Sequence, residues 1–163
     1  MIHSSEHDKP ETGQSHARMN HYPRLLLMTA LSFIAMYALM YAMVNDVANV
    51  YNSLNQVYMA GLMTAAMVIV ELAVMAGMYN NKRLNAGLLA GAMVSLIACW
   101  MLIRRQVGID DRQFLRSMIP HHAGAILMCQ EAPIRSAEIR RLCQGIISSQ
   151  QVEIDQMKAT LRR

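Results

Sequence analysis

Long apolar runs and short polar segments alternate along the chain up to about residue 103. Three of the runs are long enough to cross a bilayer, and they cover residues 24–44, 57–79 and 84–103. Between residues 37 and 81 the only charged side chains are Asp46 and Glu71. This pattern predicts a three-helix transmembrane anchor over residues 23–103, preceded by a polar, disordered tail over residues 1–22.

From residue 104 onward the pattern changes to that of two amphipathic helices outside the membrane. Asp110 and Asp111 are suited to the start of a helix, which we expect to end at Pro133. Ser136 begins the second helix, whose apolar positions recur at helical spacing: Ile139, Leu142, Cys143, Ile146, Ile147, Ile154, Met157 and Leu161. The fold class is therefore predicted to be all-α, with residues 104–163 forming a helical hairpin.

A two-helix hairpin does not enclose a core by itself, because each helix buries only one stripe against the other. We therefore expect a homodimer or a higher homo-oligomer, in which two hairpins complete a four-helix bundle. A metal site on the hairpin would then be shared between chains.

Basic residues near the ends of the apolar runs predict the topology. Lys82 and Arg83 place the loop between the second and third helices in the cytoplasm, and Arg18 and Arg24 place the N-terminus there as well. Arg104 and Arg105 favour the opposite orientation. The first interpretation puts the hairpin on the periplasmic or extracellular side of a bacterial plasma (inner) membrane, with membrane lipid as a partner.

The formal net charge of +4 is explained by these membrane-boundary residues, so it does not indicate nucleic-acid binding. The chain has no His-Glu-x-x-His zinc motif, no nucleophile elbow and no phosphate-binding loop. We therefore expect neither an enzyme nor a nucleic-acid partner.

Candidate chemistry is concentrated in residues 114–128, which hold both of the histidines that lie outside the N-terminal tail. On a helix, Met118 precedes His121 and His122 by three and four residues, so these side chains are neighbours on one surface. Met128 continues the same stripe. Imidazole and thioether donors without surrounding carboxylates favour Cu(I) over magnesium, calcium or manganese.

Pro120 lies immediately before the two histidines and lacks the amide hydrogen that a continuous helix uses. A helix that runs through this proline is expected to kink beside the candidate ligands. Alternatively, Pro120 occupies the first turn of a shorter helix, and the Met and His side chains only fill a buried face.

The hairpin carries two motifs that resemble a known family. They read Phe114-Leu-x-x-Met118-Ile-Pro120-His121-His122-x-x-Ala125-Ile-x-Met128 and Ile146-Ile-x-x-Gln150-x-x-Glu153-Ile-x-x-Met157. Over about residues 110–161 the chain resembles the bacterial family called domain of unknown function 305, which is placed with ferritin-like helical bundles. That family includes periplasmic copper-binding proteins, and many members carry two copies of the helical pair where this chain has one. The resemblance implies copper binding by Met118, His121, His122, Met128 and Met157.

Cys129 and Cys143 are further candidate metal donors, as thiolates. A disulfide between them across the hairpin is the alternative, and an oxidising compartment permits it. Counted back from the turn near Pro133, the two positions are offset by more than a helical turn, which favours free buried thiols. Cys99 lies in the third apolar run and is expected to be a packing residue.

Gln150 and Glu153 interrupt the apolar stripe of the last helix. One interpretation is that they hydrogen-bond a histidine of the preceding helix and orient it. The other interpretation is that they lie at the surface edge and pair with neighbours on their own helix.

The second apolar run repeats methionine every three to four residues, at Met59, Met63, Met67, Met75 and Met78, with Glu71 in the same series. Such a face would suit a metal relay, although gap filling between helices is the favoured interpretation. Glu71 is expected to face the bundle interior or to hydrogen-bond a neighbouring helix, because ionisable groups are costly within a bilayer. In the third run, Gly87-Leu-Leu-Ala-Gly91 predicts tight helix contact.

These observations favour a membrane-anchored, extracytoplasmic Cu(I)-binding protein that stores, buffers or delivers copper, with copper-handling proteins as partners. One alternative is a structural or assembly subunit in which the Met and His side chains only pack. Another is a ferritin-like redox enzyme, although the sequence lacks the Glu-x-x-His pairs that build a di-iron site.

Overall fold

The computed structural model describes residues 22–75, 77, 79 and 81–163, so the predicted N-terminal tail lies almost entirely outside the described residues. Within the described ranges the regular structure is all helical, which confirms the all-α class. The α-helices are α1 Tyr22–Leu39, α2 Leu54–Val74, α3 Lys82–Arg105, α4 Asp111–Glu131 and α5 Ala137–Leu161. Two 3-10 helices, Met40–Met43 and Val47–Asn49, lie between α1 and α2.

Three helical segments of the described chain are long and apolar enough to cross a membrane. They are Tyr22–Met43, Leu54–Val74 and Lys82–Arg105, with 22, 21 and 24 residues. The three predicted spans are therefore confirmed, but the predicted bounds of the second span were wrong at both ends. The Ser53 side chain accepts a hydrogen bond from the Gln56 amide and starts α2 before its first strongly apolar turn. The helix ends at Val74, so Tyr79 lies in the loop that follows.

The second membrane helix, α2, is the central one, because it packs against both α1 and α3. Leu25, Val68, Leu72 and Ala92 are the buried apolar residues where the three helices meet. Gly61 allows α2 and α3 to approach closely, since a Cβ at this position would lie 3.0 Å from the Cys99 sulfur. The interpretation of Cys99 as a packing residue is thereby confirmed.

The predicted tight contact at Gly87 and Gly91 does not form within the described chain. A Cβ at either position would meet no atom within 4 Å. The buried residue of α3 is Ala92, and the two glycines lie elsewhere on its surface.

The extramembrane hairpin of α4 and α5 packs on the connection between α1 and α2. Its core consists of Ile119, Ala123 and Ile126 from α4 and Ile154 from α5. Val44 and Tyr51, which belong to the α1–α2 connection, pack against the same core. Gly124 brings the backbones together, because a Cβ there would lie 3.3 Å from the carbonyl oxygen of Met43.

The α1–α2 connection takes a place that a partner chain was expected to fill. We expected a second hairpin to be necessary to cover the apolar face of α4, but the chain's own α1–α2 connection covers much of that face. The sequence pattern gave the connecting loop no role in a core, so this part of the cover was not predicted. Oligomerisation itself stays a prediction.

Polar contacts fix the hairpin to the start of α2. The Leu54 amide donates to Gln113 Oε1 at 3.0 Å, and the Tyr58 hydroxyl donates to the Val107 carbonyl at 2.9 Å. Asn55 and Gln106 exchange two side-chain hydrogen bonds of 3.1 and 3.0 Å. The hairpin consequently lies at the end of the three-helix anchor that carries the α1–α2 connection, opposite the Lys82 end of α3.

Replacing Gly124 by leucine is expected to weaken the docking of the hairpin, because the new side chain must enter the contact with Met43. Overpacking of this kind costs about 1–3 kcal/mol. Thermal unfolding in detergent, with limited proteolysis of the α1–α2 connection, measures the effect. Gly145→Leu is the matched control, because a Cβ at Gly145 meets nothing within 4 Å. Equal behaviour of the two variants would contradict the docking described here.

Candidate metal centre

Helix α4 carries the candidate ligands and runs through Pro120 without interruption. Asp110 caps its N-terminus, accepting a 2.7 Å hydrogen bond from the Gln113 amide. The helix extends to Glu131, so Pro120 lies in its interior and is buried. The alternative that placed Pro120 in the first turn of a shorter helix is therefore wrong. Because proline has no amide hydrogen, the Arg116 carbonyl loses its usual partner one turn before the histidines.

The two adjacent histidines have different environments. His122 is buried at 7% exposure, whereas His121 is exposed. Their ring centroids are 6.2 Å apart with planes inclined at 64°, so the rings do not stack. The burial of the α4 face that contains Ile119, Ala123 and Ile126 explains the difference, because His122 belongs to that side of the helix and His121 does not.

Both ring nitrogens of His122 are already engaged. Nδ1 donates to the Met118 carbonyl oxygen at 2.9 Å, and Nε2 lies 2.7 Å from Glu153 Oε2 on α5. The interpretation that Glu153 hydrogen-bonds a histidine of the preceding helix is confirmed. A metal would have to displace one of these partners in order to bind His122, so its geometry is that of a side chain that joins α4 to α5.

Met118 and His121 are the predicted donors that remain close together and accessible. Met118 is half-buried, and His121 follows it by one helical turn, about 4.5 Å along the axis. Met128 is 54% exposed but lies about 10 Å beyond His121 along the helix, too far for both to bind one ion. Met157 is half-buried and packs against the hairpin core.

Cys129 and Cys143 form a disulfide, so the prediction of free thiols was wrong. Their Cα atoms are 5.2 Å apart, within the usual range for a disulfide. The connection between α4 and α5 is extended at Ala132 and Ser136, which shifts the start of α5 and brings the two positions level. The bonded sulfurs are not thiolates, and neither residue is retained as a metal donor.

The described part of the chain brings together no group of three His, Cys, Asp or Glu side chains that could hold a metal. Methionine sulfur lies outside that set. Met118 and His121 therefore stay a predicted pair of donors, which would need at least one further donor to complete a metal site.

The Glu71 carboxyl faces the protein, where one of its two oxygens is hydrogen-bonded. The Tyr79 hydroxyl donates to Glu71 Oε1 at 3.0 Å, while Oε2 is buried without a hydrogen-bond partner in the described ranges. Burial, and next the bond to Glu71, raise the pKa of Tyr79 above its ordinary value. The hydrogen-bond partner of Glu71 thus comes from the loop after α2 and not from a neighbouring helix.

The predicted methionine face of the second span is shorter than expected. Because α2 ends at Val74, Met75 leaves this face, and Met78 lies outside the described residues.

Substituting alanine for His122 is expected to destabilise the hairpin by about 1–3 kcal/mol, since it removes a buried bonded group and leaves Glu153 without its partner. His121→Ala is the matched control, because that side chain is exposed, and a change within about 0.5 kcal/mol is expected. Thermal unfolding of the metal-free protein checks both values. Equal effects of the two variants would show that the histidines are not distinguished in this way.

Reduction of the Cys129–Cys143 bond is expected to lower the stability of the hairpin. A loop of this size, with a sequence separation of 14, is stabilised by a disulfide by about 3 kcal/mol. Thiol labelling of the unfolded protein should modify Cys99 alone before reduction and all three cysteines afterwards. Modification of all three in unreduced protein, isolated without reductant, would contradict the bond.

Comparisons with known proteins agree with the sequence motifs of the hairpin. The family described as Domain of unknown function (DUF305) matches residues 70–161, so the match includes α3 and the end of α2 as well as the hairpin. An uncharacterized protein of Acanthamoeba polyphaga mimivirus is 34% identical over 140 residues, covering 84% of this chain and 90% of that protein. No solved structure matches the chain. The chain belongs to the DUF305 family.

Proposed function

We propose that the chain is a membrane-anchored Cu(I)-binding protein whose hairpin faces an extracytoplasmic compartment. The observation that carries the proposal is the exposed imidazole of His121 one turn from the half-buried thioether of Met118. This pair combines two donor types that suit Cu(I) and offers no carboxylate for harder cations. Its accessibility supports buffering or delivery of copper more than long-term storage, because nothing in the pair encloses an ion.

The different environments of His121 and His122 support different roles for the two side chains. His122 holds α4 against α5 through Glu153, so the backbone that carries His121 and Met118 is fixed without metal. A ligand pair on a rigid helix needs little reorganisation to bind an ion. His122 contributes to copper binding through this support and not as a ligand.

The ligand pair is incomplete within the arrangement described. Met157 on α5 packs against the core of the hairpin and is one candidate for a third donor. The other source is a second molecule, either another copy or a copper-handling protein, which would reach His121 from the solvent side. Copper transfer between proteins needs this kind of open ligand set.

The disulfide supports the extracytoplasmic orientation. Disulfides persist in oxidising compartments, and Cys129 and Cys143 lie on the hairpin. The basic pair Lys82 and Arg83 lies at the opposite end of α3, where the positive-inside rule favours the cytoplasm. In a bacterial plasma membrane the hairpin would then be periplasmic or extracellular.

A second candidate function is assembly of a membrane complex, with no metal. It is favoured by large apolar side chains exposed on α5, where Ile139 is 49% and Leu142, one helical turn later, is 62% exposed. Neighbouring exposed apolar side chains outside the membrane form the kind of patch that binds another protein. This function predicts no metal in the purified protein.

The detergent-purified full chain should bind Cu(I), or Ag(I) as its analogue, and a Met118→Ala/His121→Ala variant should lose most of this affinity. Loss of groups that only orient a ligand costs about 10–100-fold, so loss of two direct ligands should cost at least about 100-fold. Competition with a chromogenic Cu(I) chelator measures the affinity.

Two variants serve as controls for this measurement. His122→Ala, tested at a temperature where it is folded, and Met128→Ala are expected to retain affinity to within about tenfold, the lower bound for groups that do not bind the metal directly. Wild-type affinity in the Met118→Ala/His121→Ala variant would contradict the proposed ligands. Absence of binding in every protein would favour the assembly function.

A further inference from the structure

The three membrane helices leave a groove between α1 and α3, and α2 forms its floor. We name it the α1–α3 groove; its volume is about 830 Å³. The floor includes Gly61 and Ala65, and the α3 wall includes Gly87 and Gly91. Gly87 and Gly91, which make no tight helix contact, therefore border a continuous apolar recess and not an isolated gap.

Along the helices, the groove is about as long as one leaflet of the bilayer is thick. Its lining begins at Tyr22 on α1 and Leu84 on α3, and it ends at Ile34 and Ser95. The eleven residue-to-residue steps from Leu84 to Ser95 correspond to about 17 Å of helix, against about 15 Å for half of the hydrocarbon core. A transmembrane helix from another protein would need a surface that continues through both leaflets. The acyl chain of a lipid in one leaflet fits the observed depth.

The open end of the groove is basic. Lys82 and Arg83 are exposed at the first turn of α3, directly before Leu84 in the groove wall. Neither takes part in an ion pair within the described ranges. The Tyr22 hydroxyl, which also borders the groove, donates to Asn85 Oδ1 at 2.8 Å, so a polar layer separates the basic residues from the apolar recess.

We propose that the α1–α3 groove binds one anionic phospholipid. The acyl chain lies along α2 between α1 and α3, and Lys82 and Arg83 attract the phosphate. Basic side chains near a membrane surface favour anionic over zwitterionic lipid. The lipid fills the recess that α1 and α3 leave open over α2, and it does so at the end of the anchor opposite the hairpin.

Gly91 provides a variant that tests the groove without disturbing the fold. A Cβ at this position meets no protein atom within 4 Å, so a leucine side chain would occupy the recess itself. Ala90→Leu is the matched control, because Ala90 is exposed on the same helix and does not line the groove. For the charged end, Lys82→Gln/Arg83→Gln is matched by Arg104→Gln/Arg105→Gln at the other end of α3.

The test is native mass spectrometry of the full chain in detergent, titrated with dioleoyl phosphatidylglycerol or dioleoyl phosphatidylcholine. The wild type should retain one phosphatidylglycerol on the order of tenfold more strongly than phosphatidylcholine, in keeping with the contribution of two basic residues. Lys82→Gln/Arg83→Gln should abolish this preference, and Gly91→Leu should lose retention of both lipids. Both control variants should behave as the wild type does.

Three results would overturn the proposal. Equal retention of the two lipids by the wild type would remove the headgroup site, and wild-type retention by Gly91→Leu would remove the groove. A protein dimer that Gly91→Leu dissociates would show that a second copy, and not a lipid, occupies the recess. The copper measurements are independent of all three results, because the hairpin ligands lie at the other end of the anchor.

Discussion

The burial of one face of α4 is the interaction on which the rest of the structure depends. Ile119, Ala123 and Ile126 pack against Ile154 of α5 and against the connection between α1 and α2. This packing fixes the rotation of α4 about its own axis. Because His121 and His122 are adjacent on the helix, that rotation sends one imidazole inward to Glu153 and the other outward to solvent. The chemical difference between two identical side chains is thus a consequence of apolar packing.

The same packing joins the hairpin to the membrane anchor. Gly124 allows α4 to rest on the Met43 carbonyl, and Gln113 accepts the Leu54 amide at the start of α2. A hairpin held only by its linker would sample many orientations relative to the bilayer. Here the apolar and polar contacts together present the His121 surface in a fixed orientation to the anchor, which suits exchange of an ion with a second molecule.

Much of the fold could be predicted from the sequence because its signals are local. The apolar runs were long enough to identify three membrane helices, and Asp110, Ser136 and Pro133 marked the ends of the hairpin helices. The pairing of Glu153 with a histidine followed from a charged residue that interrupts an apolar stripe. Each of these inferences needs only the spacing of residues along one or two helices.

The remaining features depend on how elements are placed relative to one another. The Cys129–Cys143 bond depends on the extended connection between α4 and α5. How far such a connection shifts one helix along the other cannot be read from residue numbers. The separation of His121 from His122 depends on Val44 and Tyr51, which lie far away in the sequence and carry no motif. For the same reason the Gly87 and Gly91 pair was predicted to pack against a helix, whereas it borders an open groove.

The most direct test of the central claim follows each histidine by NMR during a titration with Ag(I). The protein is labelled with ¹⁵N in its imidazole rings. The resonances of His121 should shift as the ion binds. Those of His122 should not shift, because its ring nitrogens stay hydrogen-bonded to Met118 and Glu153. A shift confined to His121 would show that the exposed imidazole takes the metal and the buried one holds the helices together. Movement of the His122 resonances with His121 unchanged would contradict this account.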